Sequence, residues 1–314
     1  MSLYERVSIL PDFRLFIIDL CKQMELDEED IQFLFYQDQA RTSDIMKEFA
    51  KCFVTKDMDP EYNFEIYELA GDVCVNSAVV IYLHKIIQST QEKQFHINPS
   101  YLPDPRLIDY FNKLKSEYIS NGVFKKIAIQ LGMDAFMVYD KAKDNIYTSE
   151  SKSIPSMYEA FFGCFEFLMN NYIKNKYGHK YVSNFISKQM HSLSINYDPV
   201  TLYDAVTLLK ETSDQTSKLG YKFEARQSGG PNGPVQIVRI NLNPDGSIKD
   251  NSVVQECGMS YITPDKNVKD LKQEISKRAL NYLSDPKHNF DQSTIKKIPT
   301  MEELGIIDLK LHKI

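Results

Sequence analysis

Glu65, Glu68 and Asp72 stand at spacings i, i+3 and i+7 within the stretch FEIYELAGDVCVNSAVVIYL, Phe64 to Leu83. On a helix of about 3.6 residues per turn all three carboxylates lie on one narrow face. From Val73 to Leu83 only Asn76, Ser77 and the Tyr82 hydroxyl are polar, so this half is expected to be buried on most of its circumference. A row of carboxylates then runs into the interior. Like charges at the edge of a core repel and cost on the order of several kcal/mol to desolvate unless a cation or a donor network neutralises them. One reading is therefore a hard divalent ion. The other is a solvated acidic first turn that complements the helix N-terminus. Periodicity alone leaves a second choice open, because Val73, Val75, Val79, Val80 and Ile81 suit a buried strand, while the acidic spacing and the length of the run favour a helix.

The surrounding chain supplies candidates for positioning this row. Residues 1 to 60 read as short helices: Asp12 caps a helix through Gln23, Asp27 opens EEDIQFLFYQD, and Thr42 or Ser43 opens DIMKEFAKCFV. After the acidic segment, IIQSTQEKQFHINPSYLPDPR is polar with three prolines and reads as a loop. Helical pattern resumes at Leu107 and runs past Leu131, with Gly132 as its stop. The stretch KAKDNIYTSESKSIP is a second loop, and Ile154 to Lys174 is helical with Phe161, Phe162, Phe165 and Leu168 inward. An all-α domain over 1–190 follows. From about Tyr197 the pattern changes to a helix, TLYDAVTLLKETS, then YKFEARQ, VQIVRINLN and SVVQECGMSY as strands, then the closing helix DKNVKDLKQEISKRALNYL. That is a small α+β unit, α-β-β-β-α, over 196–285, followed by a tail, 286–314, with no assignment.

At 314 residues and 43% hydrophobic the chain suits two domains. A formal net charge of −6 argues against coating nucleic acid through bulk electrostatics, so any such binding must come from local patches. The five cysteines, at 21, 52, 74, 164 and 257, are widely spaced and read as free thiols in a reducing compartment. No cysteine pair has zinc-knuckle spacing and the six histidines are isolated, so metal chemistry is expected from oxygen ligands, not from zinc. The N-terminal MSLYERVSILPDFRLF has acidic residues early and no apolar core behind basic ones, and reads as neither a signal nor a transit peptide. No uncharged run approaches the ~20 residues of a membrane span. A cytoplasmic protein with no membrane partner is the default expectation.

Three blocks carry a family resemblance. ELAGDVCVNSAVVIYL, with a further glutamate one turn earlier, resembles the signature of the ribonuclease III family: a glutamate, two apolar residues, Gly-Asp, then an apolar helix. LKSEYISNGVFKKIAIQLGM, Leu114 to Met133, resembles the segment in which a Ser-Asn pair precedes an alanine-containing helix and a Leu-Gly turn. IPSMYEAFFGCFEFL, Ile154 to Leu168, resembles the second signature, Glu-Ala followed by an apolar pair and a small residue. The α-β-β-β-α order resembles the double-stranded-RNA-binding domain that follows in that family, with Leu209-Lys210-Glu211 in its first helix, Gly230-Pro231 in its β1–β2 loop, and Lys269 and Lys272 in its last helix.

The resemblance implies an all-α ribonuclease III-like domain plus a small double-stranded-RNA-binding-like domain. It implies an endoribonuclease that cleaves double-stranded RNA by two-metal-ion hydrolysis with Mg²⁺ (or Mn²⁺), acting as a homodimer. Glu65, Glu68, Asp72 and Glu159 become the catalytic carboxylates, with Glu68, Asp72, Ser156 and Glu159 at the metal-ligand positions. Glu211, Gly230, Pro231, Lys269 and Lys272 become the RNA-binding set. The chain departs from the family at several places. Thr55 lacks the adjoining histidine, Ile66 replaces an arginine, Gly233 a loop histidine, and Val268 the first lysine of the cluster. Above all, Ser156 stands where the family has an aspartate, and a neutral hydroxyl is a poorer magnesium ligand. Residues 196–285 hold 11 Lys and Arg against 12 Asp and Glu, a net of −1, where phosphate-tracking modules are basic. The alternative is a catalytically inactive, RNA-associated structural or regulatory protein.

Overall fold

The computed structural model describes residues 1–95, 105–173, 178–193, 198–215, 220–227, 234–242, 248–257, 268–288, 292–293 and 295–304. The chain divides into two compact units, Met1–Ile195 and Asn196–Ile307. Among the described residues the first is helical apart from one parallel bridge between Val54 and Val138. Its helices are α1 Leu3–Ser8, α2 Pro11–Gln23, α3 Glu28–Phe35, α4 Gln39–Lys51, α5 Glu65–Phe95, α6 Pro105–Tyr118, α7 Asn121–Gln130, α8 Ser153–Tyr172 and α9 Gly178–Ser192.

Caps explain several boundaries. Asp27 caps α3 by accepting the Asp30 N–H, and Gly132, at φ +75°, follows α7 in the left-handed conformation that glycine adopts without strain. Two starts differ from the sequence reading. In α2 the cap position is Leu10, with Pro11 at the first helical position and Asp12 inside the first turn. Proline takes that role because its missing N–H is one the helix leaves unpaired anyway. In α4 the cap is Asp38, which accepts from the Ala40 and Arg41 N–H groups. Thr42 lies inside the helix, its hydroxyl donating to the Leu34 and Asp38 carbonyls.

The acidic segment is a helix, and it is longer and less buried than its composition suggests. α5 runs on to Phe95, ten residues into the stretch read as a loop; its prolines come only at 99 and beyond, which lie outside the described residues up to 104. Val75, Ala78, Val79 and Tyr82 are buried, but Ile66, Leu69, Val73, Val80 and Ile81 are exposed, Leu69 by 77% and Val73 by 63%. α5 is thus apolar on two faces, and only one packs within this unit. By length and composition Glu65–Ile86 is apolar enough to cross a membrane, yet it packs against α8 and α9 as a core helix.

α8 is the other half of the core. Phe161, Phe162, Phe165 and Leu168 are all buried. Phe161 stacks on Phe49 of α4 at 5.5 Å between ring centres, and Tyr158 lies between Phe124 and Phe162 at 5.3 and 4.8 Å. Aromatic rings of this kind carry much of the buried area in a domain core. Cys21, Cys52, Cys74 and Cys164 are free and buried.

The second unit contains α10 Pro199–Leu202, α11 Ala205–Gln215, β1 Gly220–Gln227, β2 Pro234–Leu242, β3 Ile248–Cys257 and α12 Val268–Ser284. The strands form an antiparallel sheet in the order β1-β2-β3. α12 packs against α11 and against β2 and β3. The helix read as one piece from Thr201 is two, since it breaks at Tyr203 and restarts where Asp204 accepts the Thr207 N–H. The described part of the C-terminal stretch belongs to this unit. The Lys296 N–H donates to Thr212 Oγ1, and Ile295 and Leu304 are buried.

Candidate metal centre

Two glycines allow the carboxylates to meet. A Cβ added to Gly71 would lie 1.8 Å from the Glu159 carbonyl oxygen, and one added to Gly163 would lie 2.4 Å from that of Tyr67. The backbones of α5 and α8 therefore touch where these residues face each other, an approach open only to residues without a side chain. The start of α5 is held independently. Asn63, buried, accepts the Glu65 N–H and donates to the Asp59 carbonyl, while the Phe64 N–H donates to Val54 in the bridged segment. The Tyr67 hydroxyl donates to Glu48 at 2.6 Å, and Cys52 Sγ donates to the Ala160 carbonyl, which ties α4 to both helices.

Glu68, Asp72 and Glu159, all half-buried, form one electrostatic cluster. Burial, and then the charges of Asp72 and Glu68, push the Glu159 carboxyl up to about 7. Desolvation and like charge act in the same direction there, each favouring the protonated form. Carboxyls raised in this way occur at catalytic sites and also in structural charge clusters. Asp72 is further oriented by Asn76, whose Nδ2 donates to Oδ1 at 2.8 Å, and the buried Asn76 Oδ1 finds no hydrogen-bond partner among the described residues. Carboxylate oxygen is the donor type of a hard cation such as Mg²⁺, although among the described residues these three carboxylates do not come within 4.8 Å of one another as a group.

The remaining two positions of the expected set behave differently. Ser156 is buried, three residues before Glu159 on α8. Glu65 is exposed and pairs with Lys56 at 2.9 Å, and it is not among the charges that raise Glu159.

A second grouping escaped the sequence reading. Cys74 Sγ lies 3.5 Å from His179 Nδ1, which lies 3.6 Å from Glu166 Oε2, and all three ligand atoms fall within 4.8 Å of one another. They come from α5, α8 and α9, so no short spacing announces them. Burial, and then the Glu166 carboxylate beside it, raises the Cys74 thiol above its ordinary range.

No family model matches the chain. It is 25% identical over 206 residues to a protein named "Putative ribonuclease 3" from Invertebrate iridescent virus 6, the match covering 60% of this chain and 65% of that relative. The comparison supports a distant ribonuclease III-like relationship. The chain spans about two-thirds of the relative's length, a little under that fraction.

Of the positions expected to bind RNA, Glu211 is exposed on α11, and Lys272 is half-buried on α12 with its Nζ 5.5 Å over the Phe223 ring. Lys269 lies in the first turn of α12. Gly230 and Pro231 lie outside the described residues.

Proposed function

We propose that this protein is a divalent-metal-dependent endoribonuclease of ribonuclease III type that acts on double-stranded RNA in the cytoplasm. The observation that carries the proposal is the convergence of Glu68, Asp72 and Glu159 across a backbone-to-backbone helix crossing, with Glu159 held protonatable near neutral pH. Packing gives no reason to gather three carboxylates there; a hard cation does. Glu68, Asp72 and Glu159 would hold Mg²⁺ or Mn²⁺ through oxygen, with the Ser156 hydroxyl beside them as a neutral donor. When bound, the ion supplies an activated water and stabilises the leaving oxygen of a phosphodiester. The protein's own part is to orient Asp72 through Asn76, to keep the carboxylates in a partly dry site, and to anchor α5 at Asn63. Glu65, paired with Lys56, is assigned the outer acidic neighbour of the site.

The exposed stripe Ile66, Leu69, Val73, Val80 and Ile81 beside the acidic row is assigned to a homodimer contact, which would set two cuts on opposite strands. The second unit, with its helix–three-strand–helix order, is assigned to duplex RNA, with Glu211, Lys269 and Lys272 as contacts, joined by Gly230 and Pro231, which lie between β1 and β2 in the sequence.

The test is incubation of the full chain with long duplex RNA and Mg²⁺ or Mn²⁺. Discrete short products that disappear in Asp72→Ala are the expected result. A specific observation favours a second reading, in which the fold is kept and cleavage lost: Ser156 removes one carboxylate and the second unit is not basic. Intact RNA with either ion, together with duplex binding, would establish it.

A further inference from the structure

We infer that Cys74, Glu166 and His179 form a zinc site, separate from the carboxylate cluster, that clamps α5, α8 and α9 together. Tetrahedral zinc with Zn–S of about 2.3 Å and Zn–N of about 2.0–2.1 Å places sulfur and nitrogen roughly 3.5 Å apart. The Sγ to Nδ1 separation is 3.5 Å and the Nδ1 to Oε2 separation 3.6 Å, so two of the three separations already match ligand spacing, and all three atoms lie within 4.8 Å of one another. The fold has built this approach. Gly178 opens α9 directly against Glu166, where a Cβ would lie 2.8 Å from the Glu166 Cα, and its N–H donates to Asn170 Oδ1. That contact delivers His179 to the Cys74 side of α8. Thiolate and imidazole select zinc over Mg²⁺, which prefers oxygen and several waters. The two clusters, which share α5 and α8, would therefore sort their ions by chemistry. Ligation forms a metal–sulfur bond as the Cys74 proton passes to bulk water, and three protein ligands leave the fourth position to a water.

The inference does not rest on the nuclease reading. The test titrates the full chain with Co²⁺, a spectroscopic stand-in for zinc, and then displaces it with Zn²⁺. One equivalent should give a thiolate-to-cobalt charge-transfer band with the intense visible bands of a tetrahedral ion, bleached by Zn²⁺. The bands should vanish in Cys74→Ser and persist in Asp72→Ala. His179→Ala and Glu166→Gln, at half-exposed positions, should each weaken Zn²⁺ by about tenfold or more in chelator competition. Zinc should raise the melting temperature of the wild type and leave that of Cys74→Ser unmoved. No charge-transfer band in the wild type, or a band unchanged in Cys74→Ser, overturns the inference. If Cys74→Ser fails to fold, unaltered Zn²⁺ affinity in both His179→Ala and Glu166→Gln does the same.

Discussion

The carboxylate cluster and the Cys74–Glu166–His179 group share α5 and α8, the second adding α9, and they differ in how they are assembled. In the first, two of three acids come from successive turns of α5, and the third is delivered by a glycine-lined crossing. In the second, each residue comes from a different helix, and a further glycine seats the third helix. The first is half-buried and crowded with like charge, and burial first, then that charge, push Glu159 up to about 7. The second mixes a thiol, an imidazole and one carboxylate, and there burial and then the single Glu166 carboxylate keep the Cys74 proton on. Carboxylate oxygens are the donors hard cations take, while thiolate and imidazole suit softer ones.

Breaking the shared scaffold should have the largest effect. Gly71→Ala puts a methyl 1.8 Å from a carbonyl oxygen of α8. Alanine gains about 1 kcal/mol in helix propensity over glycine. The overlap is with backbone, which no rotamer change relieves, so a net loss of about 3–5 kcal/mol is expected. Chemical denaturation would show it, and surviving protein should have lost Mg²⁺ and Zn²⁺ responses together. A stable Gly71→Ala with one response intact would show that the clusters do not depend on the same crossing.

Ser156→Asp sharpens the contrast by adding charge to one cluster alone. With EDTA the variant should lose about 1–3 kcal/mol, because a fourth carboxylate joins Glu68, Asp72 and Glu159 without a counterion. With millimolar Mg²⁺ it should gain more in melting temperature than the wild type gains. A variant less stable than wild type and indifferent to Mg²⁺ removes the metal reading of the carboxylates.

The pH response comes next in size. Between the ordinary glutamate value near 4.5 and its folded value of about 7, Glu159 keeps in the folded state a proton that the unfolded chain releases. Stability from this group is thus complete below about 4.5 and is lost as pH rises through about 7. The residue is partly solvated, so screening reduces the expected loss to about 1–2 kcal/mol. Melting curves in EDTA from pH 5 to 8 should fall across that window, and Glu159→Gln should flatten the fall. The smallest effect is expected at the rim. Lys56→Ala breaks an exposed pair with Glu65 and should move the same melts least of all the variants, with the Glu159-dependent fall unchanged.

How much of this was legible depends on where each signal lies. The acidic face of α5, the inward aromatics of α8 and the Asp27 cap follow from periodicity and local hydrogen bonding within a few residues. The Asp38 cap was missed because Thr42 and Ser43 offer the same side-chain chemistry four residues later, and only packing against α3 assigns Thr42 to the helix interior. The length of α5 was missed because the polar residues 88–95 resemble a loop in composition, although none of them breaks a helix.

By itself the sequence determined the helical elements around the site and the acidic row, since residue types and short spacings are local quantities; that Ser156 stands at a carboxylate position is what the family resemblance implies. Only the tertiary structure decided that Glu65 turns outward to Lys56 while Glu68 and Asp72 join Glu159. It also decided that α5 exposes a second apolar face, and that Cys74, Glu166 and His179 meet. Each of these depends on which helix faces which and how closely. Glycines far apart in the chain set that distance, and their effect exists only once two backbones touch.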